Sequence, residues 1–504
     1  MSPLRAAVPL TNGGVIPLAD LPLLGRGHFV GALLAELAAG ARVAAYFATP
    51  AGDALELFAV LARDAQGDLM VLRTAIGSAF PSLASRCPEL QLFEREIAEQ
   101  FGSVPTGHPW FKPVRFHRQW RDQAGSPAGG RPLPAVQEFY RVAGEEVHEV
   151  AVGPVHAGVI EPGHFRFQCH GEKVLHLEIA LGYQHRDIER RLTGGPHPAT
   201  LLQVEAIAGD TTIGHTTAYC EIVEALAGAV VPARGRALRR LALELERLAN
   251  HVGDIGALAG DVGFLPTAAF CGRLRGDYLN ATAELCGSRF GRGVVRPGGV
   301  LADLDPAQAA ALRTRLAPVA RDTHGALELF FETPSVLARL EGVGRVAADD
   351  AAALGLVGVA ARACGLARDA RAFLLAGADQ PAPASPALEE GGDVYARAAV
   401  RRHEVAASLR MVQDGLASLP AGAVQTPTGA LRPNALTVAL VEGWRGEIVH
   451  VALTDAAGRF ARYKVVDPSF RNWSGLAMAL RGEQISDFPL CNKSFNLSYC
   501  GFDL

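Results

Sequence analysis

Between Arg234 and Val252 the chain reads RGRALRRLALELERLANHV, and Leu238, Leu241, Leu245, Leu248 and Val252 recur at steps of three and four residues. That spacing predicts a long α-helix with one continuous apolar face, which must be buried against other helices to be stable. Arg239, Arg240, Glu244 and Arg247 fall largely off the stripe. Together with Arg234 and Arg236, these arginines read as a solvated or subunit-facing surface rather than a substrate clamp. Further helical patterning covers Thr216 to Ala227, Pro306 to Ala320, Ala351 to Ala376 and Arg397 to Leu416, so the larger part of the chain is a helical bundle. Near the end, GEIVHVALTD and GRFARYKVVD alternate around the turn AAG and predict a small β-hairpin against that bundle.

The first 120 residues differ. VAAYFATP and LELFAVLAR read as strands packed on a helix, and FEREIAEQFG as an amphipathic helix, which together make a small α/β domain. The connector RDQAGSPAGGRP, Arg121 to Pro132, combines Gly, Pro, Ser and Gln and reads as a flexible linker. The expected division is therefore 1–120, a linker at 121–135, and 136–504. The fold class is α+β.

Charge and cysteine usage exclude several functions. Lys and Arg total 48 against 52 Asp and Glu, so no basic surplus draws the chain to nucleic acid or anionic lipid. The apolar runs, such as Val30 to Ala45, are interrupted by charge and fall short of the ~20 residues of a membrane span. The opening MSPLRAAVPLTNGG lacks the sustained apolar core of a signal peptide, which makes the cytoplasm the expected compartment. Eight scattered cysteines with no C-x-x-C pair read as buried thiols in a reducing compartment, and any metal site would be irregular.

Two stretches carry chemistry. EREIAEQFGSVPTGHPWFKPVRFH, Glu94 to His117, reads by itself as a capped helix followed by a surface turn. VGPVHAGVIEPGHFRFQCHGEKVLHLEIALGYQHRDIERRL, Val152 to Leu192, sets His156, His164, His170, His176 and His185 among glycines and prolines, where imidazoles can ligate a metal or relay protons. Taken whole, the first stretch resembles the signature of the 30 kDa subunit of respiratory complex I and its counterpart in membrane-bound hydrogenases. The second is similar to the complex I 49 kDa subunit and to the large subunit of energy-converting [NiFe] hydrogenases. That resemblance continues through GHTTAYCEIVEAL, VPARGRALRRLALELERLANHVGDIGALAGDVGF, CGSRFGRGVVRPGGV, GDVYARAAVRRHEVAASL, RGEI and DPSFRNWSGLAMALRGEQISD.

The resemblance implies two fused subunits in one chain, the first docking onto the second. It implies a membrane-associated assembly with a small iron–sulfur subunit and membrane antiporter-like and anchor subunits as partners, and NAD- and quinone-linked chemistry in the complex I branch. It also implies a peripheral position on the cytoplasmic side of the membrane, with electron transfer coupled to ion translocation. In the hydrogenase branch two Cys-x-x-Cys pairs hold nickel and iron. Gap-free counting places Ala208 and Thr211 at the first pair and Ser498 and Gly501 at the second, with Cys500 one residue short. All four thiolates are missing, so nickel is not expected. Cys491 and Cys500, with eight residues between them, do not have a ligand spacing. In the complex I branch the tyrosine that bonds a quinone is replaced by Gly209, and its histidine partner corresponds to His156 or His164. The resemblance brings His156, Glu161, His164, Arg166, Asp210, His215 and Cys500 together as the candidate site. They form either a proton-exchanging acceptor pocket, with a quinone as one acceptor that fits, or a dead site in a non-catalytic structural subunit.

Overall fold

The computed structural model describes residues 7–52, 54–120, 137–156, 160–373 and 385–504. The expected linker at 121–135 lies outside them. Three short strands open the chain, β1 (Val8–Leu10), β2 (Val15–Pro17) and β3 (Leu23–Leu24), followed by helix α1 (Arg26–Ala38). Three long antiparallel strands follow, β4 (Arg42–Ala51), β5 (Ala54–Arg63) and β6 (Asp68–Ile76), and the sheet runs in the order β1-β6-β5-β4 with β3 added to β6. Short β7 (Ala79–Pro81) then pairs in parallel with β8 (Val104–Thr106) around helix α2 (Gln91–Phe101). Phe93, Ile97 and Phe101 recur every four residues on α2, and Gly102 closes it in the left-handed conformation at φ 71°. Its polar side is buried as well, including Glu94, Glu96 and Gln100, because the rest of the molecule packs over it.

Strands β9 (Val147–Val152), β10 (His164–His170) and β11 (Lys173–Ala180) form a second antiparallel sheet, and short helices α3 (Ile188–Leu192) and α4 (Thr200–Glu205) follow. The bundle proper begins with α5 (Thr212–Ala227), α6 (Ala233–Asp261) and α7 (Leu265–Cys286). A small ladder of β12 (Val295–Arg296) and β13 (Gly299–Val300) leads into α8 (Pro306–Glu332). The predicted helix at 234–252 is the middle of α6, which has 29 residues and is roughly 43 Å long at 1.5 Å per residue. Its leucine stripe is buried as expected. Three of its arginines are not a surface: Arg234, Arg239 and Arg247 are at most 8% exposed and pair with Asp303, Glu224 and Glu404, whereas Arg236 and Arg240 are half-buried. A helix at the centre of a bundle has neighbours on both faces, so its charges are paired rather than solvated.

After α9 (Pro334–Leu340), the helix expected at 351–376 is broken. It appears as α10 (Ala348–Ala353), α11 (Gly358–Arg362) and α12 (Ala370–Phe373), and residues 374–376 lie outside the described set. Gly355 at φ 68° terminates α10 in the left-handed backbone, and Gly358 at φ 62° turns the chain into α11. At Gly358 a Cβ would lie 2.1 Å from the Arg445 carbonyl oxygen, so the break lets two backbones touch. Regular helix resumes in α13 (Val394–Ala417).

The predicted hairpin is present but is no small appendage. Strands β14 (Ala435–Glu442), β15 (Glu447–Thr454) and β16 (Phe460–Val466) form a sheet in the order β16-β15-β14-β2, so a strand from the N-terminal end completes it. Every residue of β14 and β15 is buried. The alternation read from the sequence is polar against apolar, yet both faces are covered and the polar members are paired. Helices α14 (Pro468–Ala479), α15 (Phe488–Phe495) and α16 (Tyr499–Phe502) close the chain, with one continuous apolar core running through both halves.

Candidate functional site

The site is built on the turn between β14 and β15. Glu442, Gly443, Trp444, Arg445, Gly446 and Glu447 occupy it, and Gly446 at φ 142° supplies the sharp reversal. Arg445 projects from this turn and donates to both Asp210 oxygens at 2.7 and 2.6 Å, to Thr211 Oγ1 at 3.2 Å and to the Asn496 carbonyl at 2.5 Å. Its guanidinium lies 4.0 Å from the Trp444 ring centre. Trp444 Nε1 in turn donates to the Asp210 carbonyl at 3.0 Å and to Thr211 Oγ1 at 3.1 Å. Burial by itself raises the Asp210 carboxyl, but the Arg445 guanidinium overrides it and holds the group below the usual carboxylate range.

Behind this ion pair runs a chain of buried polar side chains. His215, near the start of α5, is fully buried with Nε2 at 3.0 Å from Asp467 Oδ2 and Nδ1 at 3.1 Å from His450 Nε2. His450 Nδ1 meets the Tyr463 hydroxyl at 2.8 Å. With His215 neutral, a single proton arrangement satisfies every contact: Tyr463 donates to His450, His450 to His215, and His215 to Asp467. Burial, with His215 beside it, keeps His450 well below its ordinary value and hence neutral. Asp467 also accepts the Ser469 amide at 2.7 Å, capping α14.

The C-terminal segment is threaded through the same place. Ser498 caps α16 by accepting the Gly501 amide at 2.9 Å, and its hydroxyl contacts Cys500 Sγ at 3.3 Å. Arg186 staples the segment to the 206–207 loop, donating to the carbonyls of Ala206 at 2.5 Å, Ile207 at 2.9 Å and Cys500 at 3.1 Å. Asp503 accepts the amides of Gly182 and Gln184 at 2.8 and 3.0 Å, and burial pushes its carboxyl up to about 6. Burial, with Glu161 next in effect, pushes the Cys500 thiol up to about 11, so it is a neutral thiol at physiological pH.

Of the candidate residues, the structure brings together Asp210, Thr211, Ser498, Gly501 and Cys500, with exposed Glu161 close enough to act on Cys500 and Tyr499. His215 stands one layer behind, on Asp467. His156 is bound to the Gly163 carbonyl at 3.0 Å, and Gly163 abuts the Tyr499 ring. His164 and Arg166 are set apart: His164 bonds the Gly153 carbonyl at 3.1 Å, and Arg166 pairs with Glu149 at 2.5 Å and covers Phe139. The five histidines of 156–185 do not cluster. His170 pairs with Glu146, His176 packs on Tyr140, and His185 stacks on His117 at 4.6 Å.

The sequence reading missed Arg445, Trp444, Asp467, His450, Tyr463 and Glu246. The first three lie in or beside RGEI and DPSFRNW, stretches noted for their resemblance without a role assigned to them. Glu246 is 6% exposed and accepts the Ile213 and Gly214 amides at 2.7 and 3.1 Å, bracing the first turn of α5. Burial pushes it up to about 8, and the charge of Asp210 adds to the rise.

Comparison with known proteins gives this geometry a lineage. The carbon monoxide-induced hydrogenase of Rhodospirillum rubrum is 31% identical over 352 residues, spanning 69% of this chain and 97% of that protein. Formate hydrogenlyase subunit 5 of Escherichia coli is 29% identical over 439 residues, covering 83% and 76% of the two chains. The family described as respiratory-chain NADH dehydrogenase, 49 Kd subunit, matches residues 261–435 and 424–503. The chain belongs to this family of complex I 49 kDa subunits and related hydrogenase large subunits. The C/D polypeptide of the NADH-quinone oxidoreductase of Bacteroides thetaiotaomicron is 27% identical over 412 residues, which is 76% of this chain and 78% of that protein, in keeping with a fused arrangement.

Ala208, Thr211, Ser498 and Gly501, which gap-free counting aligns with hydrogenase ligands, offer no thiolate for a nickel–iron centre. Thr211 Oγ1 is committed to Asp210, Trp444 and Arg445, and Ser498 Oγ to the Gly501 amide. At Gly501 a Cβ would lie 2.7 Å from Asp467 Cγ, so even a cysteine there would displace the carboxylate. Among the described residues no group of three or more His, Cys, Asp or Glu side chains is placed to hold a metal ion.

Proposed function

We propose that this chain is the large subunit of a membrane-associated, complex I-like oxidoreductase. It would receive electrons from a small iron–sulfur subunit and pass them to an acceptor at the Asp210–Arg445 site, with quinone as the acceptor class. The observation that carries this reading is the Tyr463, His450, His215, Asp467 chain, an unbroken run of proton-bearing groups ending beside the ion pair. Electron arrival at an acceptor that also takes protons needs such a supply. Family membership supports the redox role, and the names of the relatives, hydrogenases and NADH-quinone oxidoreductases, support an assembly with membrane subunits and coupled ion translocation. No helix among the described residues is long and apolar enough to cross a membrane, so contact with the bilayer would come through antiporter-like and anchor partners on its cytoplasmic side.

A purified complex assayed for quinone reduction tests this. His450→Phe and His215→Asn, which cut the chain, are expected to lower quinone reduction at least tenfold while the partner cluster is still reduced. Unchanged turnover in both variants would overturn the proposal, and so would stoichiometric nickel in the preparation. A second reading, a non-catalytic structural subunit of the same assembly, draws on the saturation of Arg445, whose donors are taken up by Asp210, Thr211 and Asn496. It predicts a reducible cluster that delivers electrons to no quinone.

A further inference from the structure

Helices α5 and α6 both run from the Asp210–Arg445 site to a second polar region. On α5, Glu221 lies six residues beyond His215, about 9 Å along the axis. On α6 the same interval leads from Asn250, which donates to the Asp210 carbonyl at 3.0 Å, back to Glu244. Glu221 and Glu244 both line a cavity of about 590 Å³, walled by α5, α6, the end of α13, the Asn12–Gly13 turn and the end of β14. The other buried carboxylates there are committed, Glu442 to Arg362 among them. Glu224 is paired with Arg239, and Glu244 accepts from Ser408 at 2.5 Å and Arg247 at 3.2 Å. Glu221 differs, because its buried Oε2 has no hydrogen-bond partner. A carboxyl in that condition holds a proton or draws in cavity water. Burial, reinforced by Glu224 and opposed by Arg239, pushes it up to about 8.

A buried chain leads from this cavity back to the site. Arg371 contacts Glu244 at 3.8 Å and Glu404 at 2.9 Å, and Glu404 binds His251 Nε2 at 2.6 Å. The His251 ring meets Trp444 edge-on at 6.1 Å, and Trp444 holds Asp210 and Thr211. A parallel branch starts from Glu442, which lines the cavity and opens the turn that carries Arg445. It is joined through Arg362 to Glu404 at 2.8 and 2.7 Å.

We propose that this cavity is a proton-exchange site coupled to the Asp210–Arg445 site, in which Glu221 takes a proton from cavity water when negative charge arrives there and returns it when the charge leaves. The charge in question is the electron of the proposed function, so the inference rests on that reading. As the Glu221 O–H forms, an O–H of cavity water breaks, and the hydroxide left is neutralised by a proton from the bulk water to which the cavity opens; the return step reverses both. The charged groups facing Glu221 are Glu224 and Arg239, with Arg236, Arg240, Glu244, Asp414, Arg371 and Glu442 around the rest of the cavity. Unit charges roughly 12 Å apart at an effective dielectric near 20 move a titration by about one pH unit.

Infrared difference spectroscopy of the purified complex between pH 6 and pH 10 tests the carboxyl without any electron flow. The expected result is protonated-carboxyl absorbance with midpoints near pH 8 from Glu221 and Glu246, of which Glu221→Gln removes one component and Glu221→Asp retains that component at a shifted midpoint, while Glu246→Gln removes the other. Absorbance wholly untouched by Glu221→Gln overturns the proposal. Coupling is read from the other end: Asp210→Asn removes a negative charge and is expected to lower the Glu221 midpoint by about one pH unit, while Arg445→Gln raises it by a similar amount. A midpoint that moves in neither variant overturns the coupling. A cluster that never reduces quinone would defeat the proposed function yet leave these two titrations intact. In a turning-over complex at pH 8, one electron is expected to draw in roughly 0.4 proton through a one-unit shift, and this uptake is lost in Glu221→Gln.

Discussion

A Cβ placed at Gly501 would lie 2.7 Å from Asp467 Cγ, so any side chain larger than hydrogen there must displace the carboxylate. Gly501→Cys is therefore expected to cost about 1–3 kcal/mol in urea denaturation through overpacking, and to recruit no nickel on metal analysis. Asp210 is a third exposed over an Arg445 that is 4% exposed, so solvent screens part of the pair. Asp210→Ala is expected to lose about 1–2 kcal/mol, less than a fully buried pair would, in the same denaturation measurement. Glu246 makes a pH prediction. Its folded carboxyl titrates at about 8, far above the usual range, so the unfolded chain releases this proton first as pH rises. The contribution to stability is whole below the unfolded value of roughly 4.3 and is lost progressively up to pH 8. Glu246→Gln should flatten that fall, seen as a Tm that varies less between pH 5 and pH 8 than in the parent. Sequence reading singled out Asp210 and His215 because gap-free counting set them on either side of Thr211, where the resemblance implied a ligand. It missed Asp467, His450 and Tyr463 because they reach the site from β15, β16 and the start of α14, more than 230 residues away from His215 along the chain.

Elements were legible where a single periodicity ruled. Helix α6 shows its leucine stripe in the sequence, and α2 its Phe93, Ile97, Phe101 row. Periodicity identifies the face that must be buried but does not show that the opposite face is solvated, which is why Arg239 and Arg247 read as surface and are buried pairs. The region 351–376 looked helical from its alanines, and two left-handed glycines overrode propensity so that the β14–β15 turn could pack against Gly358. Lys464 in β16 ties three elements together, with Glu96 of α2 at 2.7 Å and Glu189 of α3 at 2.8 Å. Lys464→Met would leave two buried carboxylates with only Arg115 and Arg462 to share. A loss of about 3 kcal/mol in thermal or urea unfolding is expected, because removing one partner strands the other charges out of water.

Across the whole molecule the two ends of the chain are interlocked. β2 completes the sheet of β14, β15 and β16, Arg42 pairs with Glu447 at 2.6 Å, and Arg471 reaches the Ala44 carbonyl at 2.5 Å. Residues 137–504 produced alone should therefore be insoluble, with Lys464 deprived of Glu96, Arg462 of Gln100 and Glu447 of Arg42, and co-production of residues 1–120 should restore soluble protein in a co-purification assay. From its sequence alone, this protein's α+β fold class with its long helices and its family were already determined, since each is written in local period or in motifs of residue identity. Only the tertiary structure decided that Asp210 meets Arg445, that the histidines of 156–185 disperse, and that a carboxyl-lined cavity lies two helical turns from the site. Those outcomes depend on which distant side chains share a low-dielectric interior, where an unpaired charge is too costly to persist and pairing therefore selects the arrangement.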